Sequence, residues 1–254
     1  MTARVTDIFR HPIKSHGVEA IARTTLAPGE TLPWDRVWAV PHEAAGLSGH
    51  TSDWKPCNLF SRGAKTPGLV AITARLNTSG KALTLAHPDL APLTIWPDEP
   101  ADILRFLAWI APLSDPARAC PSGIVRASTR GMTDTDFPSI SILSRGSLAD
   151  LSARAGKDLS PLRFRGNIWL NGLPAWEEFN LIGREITIGG ATLRIREAIG
   201  RCRATSVNPA TGRANIDMLS LLKTSYGHTN FGVYAEVVCG GPIAVGDSFH
   251  IESA

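Results

Sequence analysis

Glycine and proline interrupt this chain about once in every six residues, 23 and 18 times in 254. That density leaves little room for long helices and favours short strands joined by turns. Between the interruptions lie segments rich in β-branched and aromatic residues. In the first hundred residues these are Val5–Phe9, Trp34–Val40, Leu69–Leu76, Lys81–Ala86 and Pro92–Trp96. The pattern then changes. Over Ala101–Ile110 the apolar residues Ile103, Leu104, Phe106, Leu107 and Ile110 recur at helical spacing, bracketed by Pro100 and Pro112. A second helix is expected from Ser147, with Asp150 as a weak capping-box partner and Gly156 as its stop. Strands return at Asn167–Leu170, Glu185–Ile188, Thr192–Ile195, Val233–Val238 and Ser248–Ile251, with a third helix over about Ile216–Thr224 ending at Tyr226-Gly227. The expectation is a mainly β chain with a few helices (β or α+β) in two barrel-like lobes, residues 1–115 and 125–254. The helical, proline-rich stretch between them is the joint.

Several functions drop out. A net charge of +3 is too mild for a nucleic-acid or membrane-surface binder, though it favours an anionic ligand. No apolar run approaches the roughly 18 residues of a membrane span, and the start has no apolar leader core. The four cysteines, Cys57, Cys120, Cys202 and Cys239, form no C-x-x-C pair. A zinc ribbon, a thioredoxin motif and a cysteine-held iron–sulfur cluster are therefore not expected. A cytoplasmic protein with reduced thiols is. The seven histidines lack metal-ligand spacing, and no dinucleotide, P-loop or nucleophile-elbow motif occurs. The adjacent Glu177 and Glu178 diverge on a strand or a helix, so paired acid–base work there is not expected.

Four segments could carry chemistry, each against a plainer structural reading. His11-Pro12-Ile13-Lys14-Ser15-His16-Gly17 offers an ammonium and a hydroxyl, which suit phosphate, but also reads as a solvated turn. Arg36, inside Trp34-Asp35-Arg36-Val37-Trp38, reads as a strand arginine needing an acceptor, either a carboxylate such as Asp35 or a bound anion. Arg163-Phe164-Arg165-Gly166-Asn167 reads as an ion network or a binding edge. In Arg201-Cys202-Arg203-Ala204-Thr205 one cysteine lies between two arginines, which favours the thiolate, the form that attacks electrophiles and binds soft metals. A packed, inert cysteine is the alternative. Cys57, Cys120 and Cys239 read as structural.

Taken together these segments resemble the MOSC family, named for the C-terminal domain of molybdenum cofactor sulfurase. The likeness is to its two-part branch, which includes the mitochondrial amidoxime-reducing component and bacterial relatives. His11–Ser15 resembles a "YPIKS" opening, Trp34–Trp38 an "RDRxW" strand, and Asp134–Ser144 a "DxxP…LLS" stretch. Arg163–Asn167 resembles "RFRPN", Arg201–Gly212 "xRCxxTxVDPxTG", and Phe231–Tyr234 with Ile243–Asp247 "FGxY…IxVGD". Six matches in order cover nearly the whole chain. The departures are Asp53 near an expected arginine, Gly166 for proline and Asn208 for aspartate.

The resemblance implies a N-terminal β-barrel domain, a MOSC β-barrel domain and a molybdenum cofactor, a pyranopterin dithiolene with a phosphate. It makes Cys202 the catalytic residue and molybdenum ligand. Lys14, Ser15, Arg36, Arg165, Asn167, Arg201, Arg203 and Thr205 are the expected cofactor-binding residues. The implied activity is reduction of small N-hydroxylated compounds by oxygen-atom abstraction. The alternative is a carrier of the cofactor or of persulfide sulfur without turnover; the remaining one is an anion-binding module in which Cys202 is packed. The chain stops at Ala254 with no cysteine-rich ferredoxin-like extension, so electrons are expected from a separate ferredoxin, flavoprotein or cytochrome. Neither pyridoxal phosphate, nucleic acid nor membrane is expected as a partner.

Overall fold

The computed structural model describes residues 3–251 apart from 52 and 116. Residues 1, 2, 52, 116 and 252–254, among them the ends where no leader and no extension are expected, lie outside that description. The fold is mainly β with three α-helices among the described residues.

Its centre is an eight-stranded sheet. In chain order the strands are β1 (Arg4–Arg10), β2 (Glu19–Ile21), β3 (Ile140–Ser144), β4 (Ile168–Asn171), β5 (Glu185–Ile188), β6 (Ala191–Gly200), β7 (Asn230–Cys239) and β8 (Phe249–Ile251). Across the sheet they run β8-β5-β6-β7-β3-β4-β1-β2. Within this sheet, among the described residues, only β3 and β4 pair in parallel, because the helix α2 (Arg145–Ala155) and a 3-10 turn carry the chain back between them. Successive residues of these strands enter different cores. Ile8, Ile142, Ile168 and Val233 join one cluster. Their neighbours Phe9, Leu143 and Trp169 join another, with Phe231, under α2 and the helix α3 (Met218–Tyr226). With both faces covered, β3 is buried at every position. Burying each large apolar side chain contributes about 1.5–3 kcal/mol.

The first lobe has its own core. A meander of Thr73–Leu76, Leu83–His87 and Leu90–Ile95 packs with the helix α1 (Pro100–Ile110), which starts with proline at its first turn. Phe106 and Ile110 of α1 meet Ile13, Trp38, Leu85 and Ile95. The lobes are stitched together in both directions. β1 is hydrogen-bonded to β4, Arg23–Leu26 to Gly241–Ala244, and Val125–Ala127 to Trp38–Ala39. No helix among the described residues is long and apolar enough to cross a membrane.

Three local expectations change. The strand over Trp34–Val40 shrinks to Trp38–Ala39. Trp34 and Arg36 lie at φ of 65° and 55°, because Asp35 turns inward to meet His11 and the chain coils around it. Leu69–Leu76 begins as a 3-10 turn, Pro67–Ala71, and becomes a strand only at Thr73; proline at its start presets the helical φ. The cap of α2 is Ser144, whose hydroxyl accepts from the Ser147 N–H. Ser147 instead donates to Glu178 at 2.7 Å, which accounts for that buried carboxyl structurally.

Candidate functional site

The sheet, the 3-10 turns and the first-lobe loop after β1 enclose a cavity of about 550 Å³. Lys14, Ser15, Arg36, Cys57 and Arg62 line it from the first lobe. Asp134, Arg163, Arg165, Glu197, Arg201, Cys202, Thr205 and Tyr234 line it from the second. Six cationic side chains face three carboxylates, with Asp136 as the third.

The cation-bearing wall is built on backbone turns from both lobes. Among the described residues five that are not glycine have positive φ, and three of them line this cavity: Ser15 at 66°, Arg36 at 55° and Arg165 at 49°. Such conformations cost free energy and persist where surrounding contacts impose them. Here the His11 N–H donates to Asp35 Oδ1 at 2.7 Å, and the His11 ring Nδ1 lies 3.2 Å from the same oxygen. The other Asp35 oxygen accepts from Arg36 Nη1. Arg36 Nη2 donates to the Arg165 carbonyl at 3.2 Å, and Arg165 Nη2 to the Gly17 carbonyl at 3.2 Å. Lys14 is buried, and its Nζ donates to the Met132 carbonyl at 2.6 Å and to Asp134. The Ser15 hydroxyl has no partner among the described residues.

The electrostatics follow from burying so much charge. Burial opposes the Arg36 charge, but Asp35 and Asp134 outweigh it and hold the guanidinium above its ordinary value. Burial, with Arg36 adding, pulls Arg165 down to about 9. Burial pulls Arg201 down to about 10 against Tyr234, Cys202 and Asp134. It also pulls Lys14 below the usual lysine range against Asp134. Burial raises Asp134, yet Lys14, Arg36 and Arg165 together hold it below the usual carboxylate range. The cluster carries cations whose compensation by protein carboxylates is incomplete. An anion entering the cavity completes it.

Cys202, just after β6, lines the same cavity and is exposed. Its carbonyl accepts from the Thr205 N–H at 3.1 Å and the Thr205 hydroxyl at 2.9 Å. The Thr205 carbonyl accepts from Arg163 Nη1 at 3.4 Å, and Arg163 Nη2 donates to Asn215 at 2.7 Å. The backbone around the thiol is thus latched while the sulfur stays free. Its electrostatic neighbours include Arg165 and Arg201.

The fold therefore brings Lys14, Ser15, Arg36, Arg165, Arg201, Cys202 and Thr205 to one cavity. It does not bring Asn167 or Arg203 there. Asn167 is buried and spends its side chain on the sheet: its oxygen accepts from the Ser141 N–H and hydroxyl, and its amide donates to the Phe9 carbonyl at 3.2 Å. Arg203 is exposed and outside the lining. Sequence reasoning missed Asp134, Glu197 and Tyr234 as site residues, although the first and last sit inside quoted motifs. It also read Cys57 as structural, whereas Cys57 lines the cavity and Arg62 Nη1 lies 3.6 Å from its sulfur. Two arginines flanking Cys202 were the only visible signal of a reactive thiol; Cys57 meets its guanidinium five residues on through a 3-10 turn. Among the described residues no group of three or more His, Cys, Asp or Glu side chains is placed to hold a metal ion.

Comparison with known proteins agrees with this two-part build. Residues 2–129 match the MOSC N-terminal beta barrel domain and residues 132–250 match the MOSC domain. The human mitochondrial amidoxime-reducing component 1 is 34% identical over 122 residues, 43% of this chain and 36% of that protein. The bovine mitochondrial amidoxime reducing component 2 is 35% identical over 126 residues, 44% of this chain and 36% of that protein. The chain thus spans little more than a third of the length of either relative. Among solved structures, the YUAD protein from Bacillus subtilis aligns over 100% of this chain and 97% of its own, with 14% identity and a TM-score of 0.47. YiiM from Geobacillus stearothermophilus aligns over 45% of this chain and 54% of its own, with 18% identity and a TM-score of 0.34. The two family matches meet end to end at the seam between the lobes, and on them the chain belongs to the MOSC family.

Proposed function

We propose that this protein binds a molybdenum cofactor and reduces small N-hydroxylated compounds. One observation carries the reading: a free thiol and an incompletely compensated cation cluster drawn from both lobes face the same cavity. The donor set fits the group. A thiolate is a ligand for a thiophilic metal, and the cations with the unshared Ser15 hydroxyl suit a phosphate. The relatives named as amidoxime-reducing components support the reaction class.

In this reading Cys202 ligates molybdenum through its sulfur. Lys14, Ser15 and Arg36 hold the phosphate, and Arg165 and Arg201 line the pterin side. Asp35 keeps Arg36 charged and oriented. The Arg163–Thr205 latch holds the thiol's backbone while leaving the sulfur exposed. The cofactor, when bound, supplies the two-electron oxygen-atom chemistry. A separate redox protein supplies the electrons.

The test is metal and pterin analysis of protein purified from a cofactor-competent host, followed by benzamidoxime reduction with an artificial electron donor. Near-stoichiometric molybdenum and pterin with turnover support the reading, as does loss of both in Cys202→Ser. A preparation free of metal and pterin would sink it. A second reading, a carrier of cofactor or persulfide sulfur, draws on Cys57 and Arg62 in the same cavity. It predicts bound cofactor or labile sulfur with no reduction.

A further inference from the structure

Three cations outside the cavity lining have no part in the reading above. Lys65, Arg203 and Arg213 are exposed, and none of their side chains has a hydrogen bond or ion pair among the described residues. They sit on segments distant in the chain and packed together in space. A β-carbon on Gly63 would lie 3.7 Å from that of Ala204, so the loop before Lys65 rests on the 3-10 turn Arg203–Ser206. The small hairpin of Val207–Asn208 and Arg213–Ala214 packs against the turn Pro67–Ala71. Gly212, at φ of 65°, leaves no room for a side chain there: a β-carbon would lie 2.9 Å from the Gly68 α-carbon. Arg213 is thereby held beside the segment that follows Lys65, and Arg203 beside the loop that precedes it.

The place and the charge of this surface point to one kind of partner. Arg203 follows Cys202 directly, and Cys202 is itself exposed, so the surface begins where the proposed metal ligand reaches solvent. The carboxylates of the cavity, Asp134, Asp136 and Glu197, are carried by other segments. Asp217, the nearest carboxylate along the chain from Arg213, caps α3 by accepting from the Ser220 N–H at 3.1 Å. The large exposed apolar residues, Trp96, Leu104, Ile182, Val238, Val245 and Ile251, also belong to other segments. A membrane-bound surface combines cations with such residues, whereas a protein steered by charge needs only complementary potential.

Resting on the reductase reading, we propose that Lys65, Arg203 and Arg213 dock a small redox protein with an acidic face, which delivers electrons at the Cys202 edge of the cavity. Two donor molecules dock in succession, each oxidised by one electron. With two protons from solvent, these electrons break the N–O bond of the substrate, an N–H bond forms, and the oxygen leaves as water.

The test uses the purified holoprotein and a plant-type [2Fe–2S] ferredoxin, an acidic one-electron donor. Carbodiimide joins lysine to carboxylate, and mass spectrometry of the mixture is expected to find Lys65 linked to the ferredoxin. Affinity is expected to fall about 10-fold between about 20 mM and about 300 mM salt. In the triple variant Lys65→Gln, Arg203→Gln, Arg213→Gln, the Kd and the KM for ferredoxin are expected to rise about 10-fold, while benzamidoxime reduction driven by reduced methyl viologen stays within about twofold. Links confined to other lysines, salt-insensitive binding, an unchanged Kd in the variant, or no binding of either the ferredoxin or an acidic flavodoxin overturns the proposal. Binding to phosphatidylserine vesicles in place of both donors also overturns it and assigns the surface to a membrane. Should the variant fail to fold, the wild-type cross-links and salt dependence still decide. Ferredoxin binding without viologen-driven turnover defeats the reductase reading and leaves the docking surface standing.

Discussion

The two walls of the cavity are made on opposite plans. The cation wall is buried, left-handed at three residues and cross-braced through Asp35. The thiol wall is a short 3-10 turn whose backbone is latched and whose sulfur is exposed. The first is organised before any ligand arrives, so an anion meets donors already in place, and less ordering free energy is lost on binding. The second leaves its sulfur unshared and exposed. Bracing is therefore concentrated in the cation wall and sparse around the sulfur.

The sharpest way to break this contrast is Asp35→Ala. It strips the counter-charge from Arg36 and a partner from His11 in a fully buried place. Removing one member of a buried pair costs about 3–5 kcal/mol, read as a fall in urea unfolding free energy, and cofactor content should fall with it. A loss below about 1 kcal/mol would mean that the wall is not braced as described.

A smaller effect comes from pH. Burial pulls His16 down to about 4 in the fold, against about 6.5 in the unfolded chain. The unfolded state then binds the proton first. Stability is whole above about pH 6.5 and declines as pH falls toward the folded value. Between pH 6.5 and 5 this one histidine accounts for about 2 kcal/mol. His11, pulled down to about 3 by burial and Arg165, acts in the same direction. Urea unfolding at the two pH values checks this, and His16→Phe should flatten the slope. An unchanged slope would place the acid sensitivity elsewhere.

The smallest stability change is expected at Cys202, the proposed metal ligand. Cys202→Ser should alter unfolding free energy by less than about 0.5 kcal/mol, as exposed substitutions do, while abolishing molybdenum retention. A large stability loss would show that the thiol is packed, contrary to its exposure.

Much of the scaffold was legible. The helix α1 was readable because its apolar positions fall on one face between two prolines. Strands such as Glu185–Ile188 were readable because β-branched residues alternate between turn residues. β3 was not, since a strand buried on both faces has no alternation to detect. The coil at Trp34–Arg36 was also hidden: β-rich composition pointed to a strand, and only the inward turn of Asp35 toward His11 overrode it. Asn167 misled for a related reason, because an amide beside two arginines resembles a binding edge until the sheet claims its hydrogen bonds.

By itself the sequence determined a β-rich, turn-divided chain, an arginine-flanked cysteine and a short basic opening, because these rest on local preference and residue chemistry. Tertiary structure alone decided that Lys14, Arg36, Tyr234 and Cys202 share a cavity. Their meeting depends on pairing β1 with β4 and residues 23–26 with 241–244, contacts between segments far apart in the chain. It depends also on strand register, where a slip of one residue would turn each side chain to the opposite face.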